Sequence, residues 1–380
     1  MKTQNCNLLR RLSAASRRAC WYIIGGSTIC ALLFDWFIHL TEIANHPSGA
    51  PGDFLTFRDN ALLAMHAPSA AAGAGAMLPY PPPFLLLTAP VSWLPPLPAY
   101  ILWLAVSLIC FGLAARHLGL PWRVVGLGGL AQPALYGAVI GQSGLLVSGF
   151  LLAAFGLAQT QPIIAGIAAG LVIIKPQFGL LLPVCYLAAR NKRAFVTAAL
   201  SVAGLLLLTA AGFGLNIWTN MQKHQVSGAH SLLVAHWPSN FQFIMTTPYI
   251  TLQSLGVSQY IAGWLQGAVS LAAALAAWRL WRQPMPKLER LAPTLALVML
   301  ATPYAYIYDL PCLAVALAGL WWAKRDGLSL AALALLFAFT CLYAPLSVFS
   351  GISWGGIALA AILLLVWPRA ARPSRVTMPA

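Results

Sequence analysis

Residues 162–189 read PIIAGIAAGLVIIKPQFGLLLPVCYLAA and contain a single charged residue, Lys175. An α-helix needs about 20 apolar residues to cross about 30 Å of hydrocarbon, and this run is longer than that. Pro176 follows the lysine directly, and a proline inside a helix removes a backbone hydrogen bond and breaks the helix. The stretch therefore predicts a membrane-embedded segment that is interrupted at its only charge.

The composition extends this interpretation to the whole chain of 380 residues. Apolar residues make up 60% of it and charged residues 8%, whereas soluble domains have roughly 45–50% and about 25%. So few charges cannot solvate the surface of a globule of this size. The composition excludes a cytosolic enzyme, a disordered chain and a disulfide-stapled secreted module.

The charge balance is strongly basic, with 22 Lys and Arg against 7 Asp and Glu and a net charge of +15. Basic residues at the ends of membrane spans orient a chain by staying in the cytoplasm, and this pattern argues against a nucleic-acid partner. The basic clusters are Arg10, Arg11, Arg17 and Arg18; Arg190, Lys192 and Arg193; Arg279, Arg282, Lys287 and Arg290; Lys324 and Arg325; and Arg369, Arg372 and Arg375.

The apolar runs predict an all-α polytopic membrane protein with about twelve transmembrane helices, in a range of 10 to 13. They cover about 20–40, 81–95, 99–116, 124–140, 143–159, 162–189, 195–215, 259–281, 292–306, 309–323, 329–346 and 352–367. We expect residues 1–19 to form a basic cytoplasmic leader, 20–368 a single transmembrane domain and 369–380 a cytoplasmic tail. Two larger loops, about 41–79 and 216–258, are then extracytoplasmic.

One part of this topology stays open. A count of twelve places the loop between Arg116 and Arg123 outside, against the charge rule. Either these two charges break the rule, or one of the runs 81–95 and 162–189 is not a single crossing.

Three ionisable residues lie in or beside apolar runs, namely Asp35, Lys175 and Asp309. A charge inside a membrane is costly and is a functional-site hypothesis by default, although long side chains also reach an interface. Asp35 lies near the outer end of its span beside Trp36, which favours an interface position. Asp309 follows three tyrosines, which is also typical of an interface.

The two predicted outer loops hold further polar candidates. Asp53 and Asp59 lie in the first, where Phe54 to Met65 could form a short amphipathic helix on the membrane surface. The second holds three histidines, and their spacing of six suits one face of a strand better than a metal site. We predict no metal and no cofactor. The three histidines are His224, His230 and His236.

Several stretches resemble glycosyltransferase family 87, in order along residues 50 to 320. They are Gly52-Asp53-Phe54-Leu55-Thr56-Phe57, Tyr80-Pro81-Pro82-Pro83-Phe84, Leu94-Pro95, Gly141-Gln142-Ser143, Ala165-Gly166 through Gly170 to Gln177, and Thr302-Pro303-Tyr304 through Tyr308-Asp309-Leu310. Some members of the family carry an Asp-His-His cluster near the late motif. Here that stretch reads Tyr306-Ile307-Tyr308-Asp309, and the departure leaves the sugar and the acceptor open.

The resemblance implies a GT-C type bundle in a bacterial inner membrane, with both termini cytoplasmic and the active site extracytoplasmic. Such enzymes move a hexose, typically mannose, from a polyprenyl-phosphate carrier to a hydroxyl of a glycolipid or glycan acceptor. The family's catalytic acid corresponds to Asp53, with Asp59 as a possible secondary acid. Expected contacts to the donor or substrate are Arg58, Tyr80, Gln142, Lys175, Gln177, Tyr308 and Asp309.

Chemistry supports these roles. A carboxylate base helps a hydroxyl to attack the anomeric carbon, which is then inverted, and fixed cationic groups stabilise the departing phosphate. Two alternatives remain: a secondary transporter, which would explain Lys175, Asp309 and the proline-broken helices, and a catalytically inactive lipid-binding relative.

Overall fold

The computed structural model describes residues 14–46, 48–66, 80–218, 233, 235, 237–239 and 241–368. The predicted tail 369–380, most of the predicted leader, and His224, His230 and His236 lie outside the described residues. Among the described residues there is no β-strand, only an isolated bridge between Met245 and Tyr306.

The fold is a bundle of helices with three buried helices at its centre. The helices are α1 Ala14–Asn45, α2 Gly52–His66, α3 Phe84–Ser92, α4 Pro96–His117, α5 Trp122–Gly129, α6 Gln132–Val139, α7 Gly144–Gly156, α8 Pro162–Leu171, α9 Leu181–Ala188, α10 Lys192–Phe213, α11 Pro248–Ser254, α12 Gln259–Trp281, α13 Lys287–Leu300, α14 Pro311–Lys324, α15 Gly327–Ser350 and α16 Gly355–Val366. Short 3₁₀ turns cover Val172–Ile174, Pro176–Gly179, Gln242–Ile244 and Ile307–Asp309.

Long helices lie outside and short helices lie inside. Within the described residues, five segments are long and apolar enough to cross a membrane: Ala15–Glu42, Pro96–His117, Lys192–Phe213, Gln259–Trp281 and Gly327–Ser350. They expose large apolar side chains such as Leu207, Trp264 and Phe349, which is typical of a lipid-facing surface. Helix α7 and most of α13 and α14 are buried, as expected for helices that are apolar on every side.

The segment 162–189 is a hairpin and not a single crossing. The Asn191 side-chain amide donates to the carbonyl of Ala158, and Gln159 and Arg190 line the same cavity. The segment therefore starts and finishes at one end of the bundle. The physical reason lies in the sequence Lys175-Pro176, because the proline cannot continue α8 and two 3₁₀ turns reverse the chain.

The loop between Arg116 and Arg123 lies at the same end of the bundle as Lys324 and Arg325. The Arg123 guanidinium lies 3.8 Å from the ring centroid of Trp322, and the Trp21 and Trp321 rings meet edge to face at 4.9 Å. The loop is therefore beside residues that the charge rule assigns to the cytoplasm. The count of about twelve transmembrane helices is not confirmed and stays a prediction.

Glycines hold the hairpin against α10. Gly166 and Gly170 are four residues apart on α8, and a Cβ atom at each would lie 2.5 Å from Thr197 Cβ and 2.3 Å from Ser201 Cβ. Small residues with this spacing allow two membrane helices to approach closely. The close contact fixes where the tip of the hairpin sits.

We predict that Gly170→Ala lowers the free energy of unfolding by about 1–3 kcal/mol, because the added methyl group overpacks the α8–α10 contact. Gly204→Ala on α10 is the matched control. A Cβ atom at Gly204 meets nothing within 4 Å, so the alanine should be neutral or stabilise by up to about 1 kcal/mol. Unfolding in detergent with increasing dodecyl sulfate measures both. Equal midpoints for the two variants would contradict the packing account.

Candidate active site

The tip of the hairpin places Lys175 in the middle of the protein. Its ammonium group lies 2.5 Å from Asp309 Oδ1, and both side chains are almost fully buried. Asp309 Oδ2 accepts a hydrogen bond of 3.1 Å from the backbone N–H of Tyr306. A buried charge is tolerated when it is paired and hydrogen-bonded, so Asp309 is what allows a lysine at this position.

Tyr80 connects Lys175 to the rest of the site. Its hydroxyl donates to Gln142 Oε1 at 2.7 Å, accepts from Ser143 Oγ at 2.9 Å, and interacts with the Lys175 ammonium group. A phenol has one donor and two acceptor positions. All three are used, so the Tyr80 hydroxyl is fixed in one orientation.

Gln142 carries the polar chain on to Asp53. Its Nε2 donates to Asp53 Oδ2 at 2.7 Å. Gly141, the preceding residue, has φ +78° and lies so close to α2 that a Cβ atom there would be 2.6 Å from Phe54 Cβ. Only glycine combines that backbone conformation with that approach, and this explains why a glycine precedes Gln142.

Asp53 lies in the first turn of α2, which is anchored by α1. Glu42 Oε2 accepts from the backbone N–H of Gly52 at 2.9 Å, which satisfies one of the free donors at the helix start. Asp53 is half-buried. One continuous polar chain thus runs from Asp53 through Gln142 and Tyr80 to the Lys175–Asp309 pair.

Burial raises the pKa of the Asp53 carboxyl group above its usual range. The hydrogen bond from Gln142 acts against this shift, the negative charge of Glu42 adds to it, and the positive charge of Lys175 opposes it. A carboxylate with a raised pKa is a stronger base. The surroundings of Asp53 therefore suit proton abstraction.

Aromatic rings surround the cation. The Tyr308 ring centroid lies 4.9 Å from Lys175 Nζ, and the rings of Tyr306 and Tyr308 are stacked at 5.2 Å. Gly137 and Gly144 make room for Tyr308, since a Cβ atom at Gly144 would lie 1.8 Å from its carbonyl oxygen. The packing of α6 and α7 thus fixes the late tyrosines beside Lys175.

The structure brings together most of the residues that the sequence singles out. Asp53, Tyr80, Gln142, Lys175 and Asp309 share one network, and Tyr308 lies beside it. Gln177 is half-buried in the 3₁₀ turn that follows Lys175.

Arg58 and Asp59 form a separate pair outside this network. Arg58 Nη1 lies 2.9 Å from Asp59 Oδ1, and Nε and Nη2 donate to the carbonyl of Leu94 at 3.1 and 3.0 Å. These contacts tie α2 to the turn between α3 and α4. Arg58 and Asp59 are five and six residues beyond Asp53 on α2, so their side chains lie on a different face of the helix from Asp53.

Asp35 differs from the expectation of an interface residue. It is buried, and its Oδ1 accepts from Gln132 Nε2 at 3.1 Å. The expectation rested on distance along the span, which does not reveal the neighbouring helix α6 that covers the side chain. Asp35 is not linked by a described hydrogen bond to the Asp53 network.

Sequence reasoning missed the roles of Ser143 and Glu42. Ser143 belongs to the Gly141-Gln142-Ser143 motif, so the motif could have indicated that it is a site residue. Glu42 is one of only 7 acidic residues and ends an apolar run, but only the folded chain reveals that it meets Gly52.

An all-helical protein with lipid-facing helices and a half-buried carboxylate linked to a buried cation has the parts of a membrane group-transfer enzyme. The model of glycosyltransferase family 87 matches residues 78–303, more than half of the chain, and the chain belongs to that family. No curated protein and no solved structure gives a significant match. Membership implies glycosyltransferase activity in a membrane. The match includes Tyr80, Gln142 and Lys175, and it excludes Asp53 and Asp309.

We predict that Lys175→Met lowers the free energy of unfolding by about 3–5 kcal/mol, because it leaves Asp309 buried without its partner. The double variant Lys175→Met, Asp309→Leu should recover most of this loss, since it removes both charges. Asp59→Leu breaks the exposed pair and should cost no more than about 1 kcal/mol. Dodecyl sulfate unfolding compares the three. A double variant as unstable as the single one would show that the unpaired charge of Asp309 is not what destabilises Lys175→Met.

Proposed function

We propose that the protein transfers a hexose, mannose in our proposal, from a polyprenyl-phosphate donor to a hydroxyl of a glycolipid or glycan acceptor. The transfer inverts the anomeric carbon and takes place on the extracytoplasmic side of a bacterial inner membrane. The observation that carries the proposal is the polar chain from Asp53 to Lys175 and Asp309, because it joins a base and a cation in one site.

Asp53 is the proposed general base. Gln142 occupies its Oδ2 atom, so Oδ1 is the oxygen we assign to the acceptor hydroxyl. The hydroxyl proton moves to Asp53 while the hydroxyl oxygen forms a bond to the anomeric carbon. The bond from that carbon to the phosphate oxygen breaks, and its electron pair leaves with the lipid phosphate.

The departing phosphate is proposed to face Lys175. A fixed cation and fixed hydroxyl donors stabilise developing negative charge without reorganisation. The contacts of Lys175 with Asp309 and Tyr80 use two of its three N–H donors and leave one for the phosphate. Tyr308, beside the ammonium group, and Gln177, in the next turn, are the further donors in this proposal, and the stacked ring of Tyr306 offers an apolar surface to a sugar face.

The distribution of charges supports the proposed side of the membrane. Asp309 lies two residues before the start of α14, and Lys324 ends this helix. The candidate site and the basic end of the bundle are thus separated by the length of a helix. Under the positive-inside rule the basic end is cytoplasmic. We therefore propose that the polar site is reached from the opposite end and is extracytoplasmic, which suits a lipid-linked donor with its prenyl chain in the hydrocarbon.

The direct test is transfer of label from a panel of polyprenyl-phosphate hexoses to host lipid and glycan extracts, with purified protein. We expect one donor to be used and Asp53→Asn to reduce turnover by about 10²-fold or more, as expected for loss of a general base. Asp59→Asn is the matched control, since it makes the same change on the same helix away from the polar chain, and it should retain activity.

Full activity of Asp53→Asn would refute the assignment of the base. No transfer from any donor by well-folded protein would favour a transporter or an inactive lipid-binding relative instead.

The pH dependence gives a second test of Asp53. The base works when deprotonated, so activity should fall as pH drops through its raised pKa. Gln142→Leu removes the hydrogen bond that lowers this pKa and should move the acid limb to higher pH. Glu42→Gln removes a charge that raises it and should move the limb to lower pH. Rates of transfer from a saturating donor across the pH range measure this, and shifts of the same sign in both variants would contradict the proposal.

A further inference from the structure

Four cationic side chains surround two neighbouring cavities at the basic end of the bundle, far from the polar chain. The larger cavity is about 360 Å³ in volume and is lined by Arg190 and Arg282. The smaller is about 40 Å³ and is lined by Lys287 and Arg290. Gln159 and Trp281 line both cavities. Because the two cavities share two lining residues, they are direct neighbours, and we call them together the basic pocket; Arg190, Arg282 and Lys287 are exposed at its rim.

Arg290 forms the buried floor of this basic pocket. Only 5% of the residue is exposed, its Nη2 donates to the carbonyl of Met285 at 2.9 Å, and the guanidinium carbon lies 5.2 Å from the ring centroid of Trp281. Its Nε has no hydrogen-bond acceptor among the described residues. Arg290 is therefore a buried positive charge beside the exposed rim cations, and it adds to the positive potential of the basic pocket.

No acidic residue of the chain neutralises the basic pocket. All seven acidic residues lie in the described part of the structure, and each has its partner elsewhere: Asp35 with Gln132, Glu42 with Gly52 and His46, Asp53 with Gln142, Asp59 with Arg58, Asp309 with Lys175, and Glu289 and Asp326 with Lys324. Four cations around one pocket repel each other, and an anion is the group that relieves this repulsion.

The surroundings of the pocket indicate where this anion comes from. Leu187 and Trp278, within a turn of Arg190 and Arg282, are exposed on the outside of the bundle. They offer an apolar surface for acyl chains beside a cationic pocket for a phosphate group. Basic pockets between membrane helices on the cytoplasmic side are typical sites for anionic lipid head groups.

We propose that this basic pocket binds the phosphate head group of an anionic phospholipid. The phosphate oxygens accept charge-assisted hydrogen bonds from Arg190 and Arg282 at the rim, and the buried charge of Arg290 in the neighbouring cavity adds to the attraction. The acyl chains lie against the bundle along α9 and α12. The site is separate from the transfer site, and the proposal does not depend on which sugar the protein transfers.

The test is native mass spectrometry of the delipidated full-length protein in detergent, titrated with dioleoylphosphatidylglycerol or dioleoylphosphatidylcholine. We expect phosphatidylglycerol to be retained over phosphatidylcholine. Arg190→Gln with Arg282→Gln should weaken retention by about a factor of five for each cation removed. Arg193→Gln is the matched control, since it removes an exposed charge from the same basic cluster without lining the pocket, and it should leave retention within about twofold.

Three results would overturn the proposal. The double variant could retain phosphatidylglycerol as well as the unmodified protein does. Arg193→Gln could lose as much phosphatidylglycerol retention as the rim variants, which would show a general attraction to the basic surface. Inorganic phosphate, added as a competitor, could displace the lipid fully at matched concentration, which would assign the pocket to a soluble anion. The rim residues are exposed, so folding should survive their substitution, and Lys287→Gln gives an independent rim variant.

Discussion

The buried lysine at the tip of a broken hairpin is the constraint on which the rest of the structure depends. A charge within the hydrocarbon region costs several kcal/mol unless it is paired. Lys175 therefore needs Asp309, which is 134 residues away in the chain. At 1.5 Å per residue in α8 and 2 Å in the 3₁₀ turn, the tip stands about 20 Å from the base of the hairpin, a length of roughly two thirds of a bilayer core.

The short central helices follow from the same constraint. Helices α7 and α14 begin at the level of the polar chain, because Ser143 directly precedes α7 and Asp309 lies two residues before α14. Glycines at 137, 141 and 144 let α2, α6 and the late tyrosines approach without side chains between them. The lipid-facing helices then only have to enclose this core, which explains why they are long, regular and exposed.

Much of the helical architecture could be predicted from the sequence, and the exceptions have physical causes. The run 259–281 matches α12 at both ends, since it is uninterrupted and Ser258 caps it. The run 124–140 is two helices, α5 and α6, because Gly128 and Gly129 precede Pro133 there. Hydropathy cannot show whether 162–189 crosses the membrane once or forms a hairpin that returns to the same side, because both paths bury the same apolar residues. Contacts between Ala158 and Asn191 decide it.

The candidate site, too, could be predicted from the sequence only in part. Family motifs marked Asp53, Tyr80, Gln142, Lys175 and Asp309, and the structure joins them. Spacing could not separate these residues from Arg58, whose side chain is held by Leu94 and Asp59, because a helix turns its neighbours in sequence to different faces.

The most direct measurement of the central claim is an experimental structure of the protein with a non-transferable polyprenyl-phosphate mannose analogue. We expect the phosphate to lie within hydrogen-bond distance of Lys175 and the anomeric carbon to face Asp53. Density for the head group beside Arg58 and Asp59, or anywhere that leaves Lys175 and Asp53 without contact to the ligand, would contradict it.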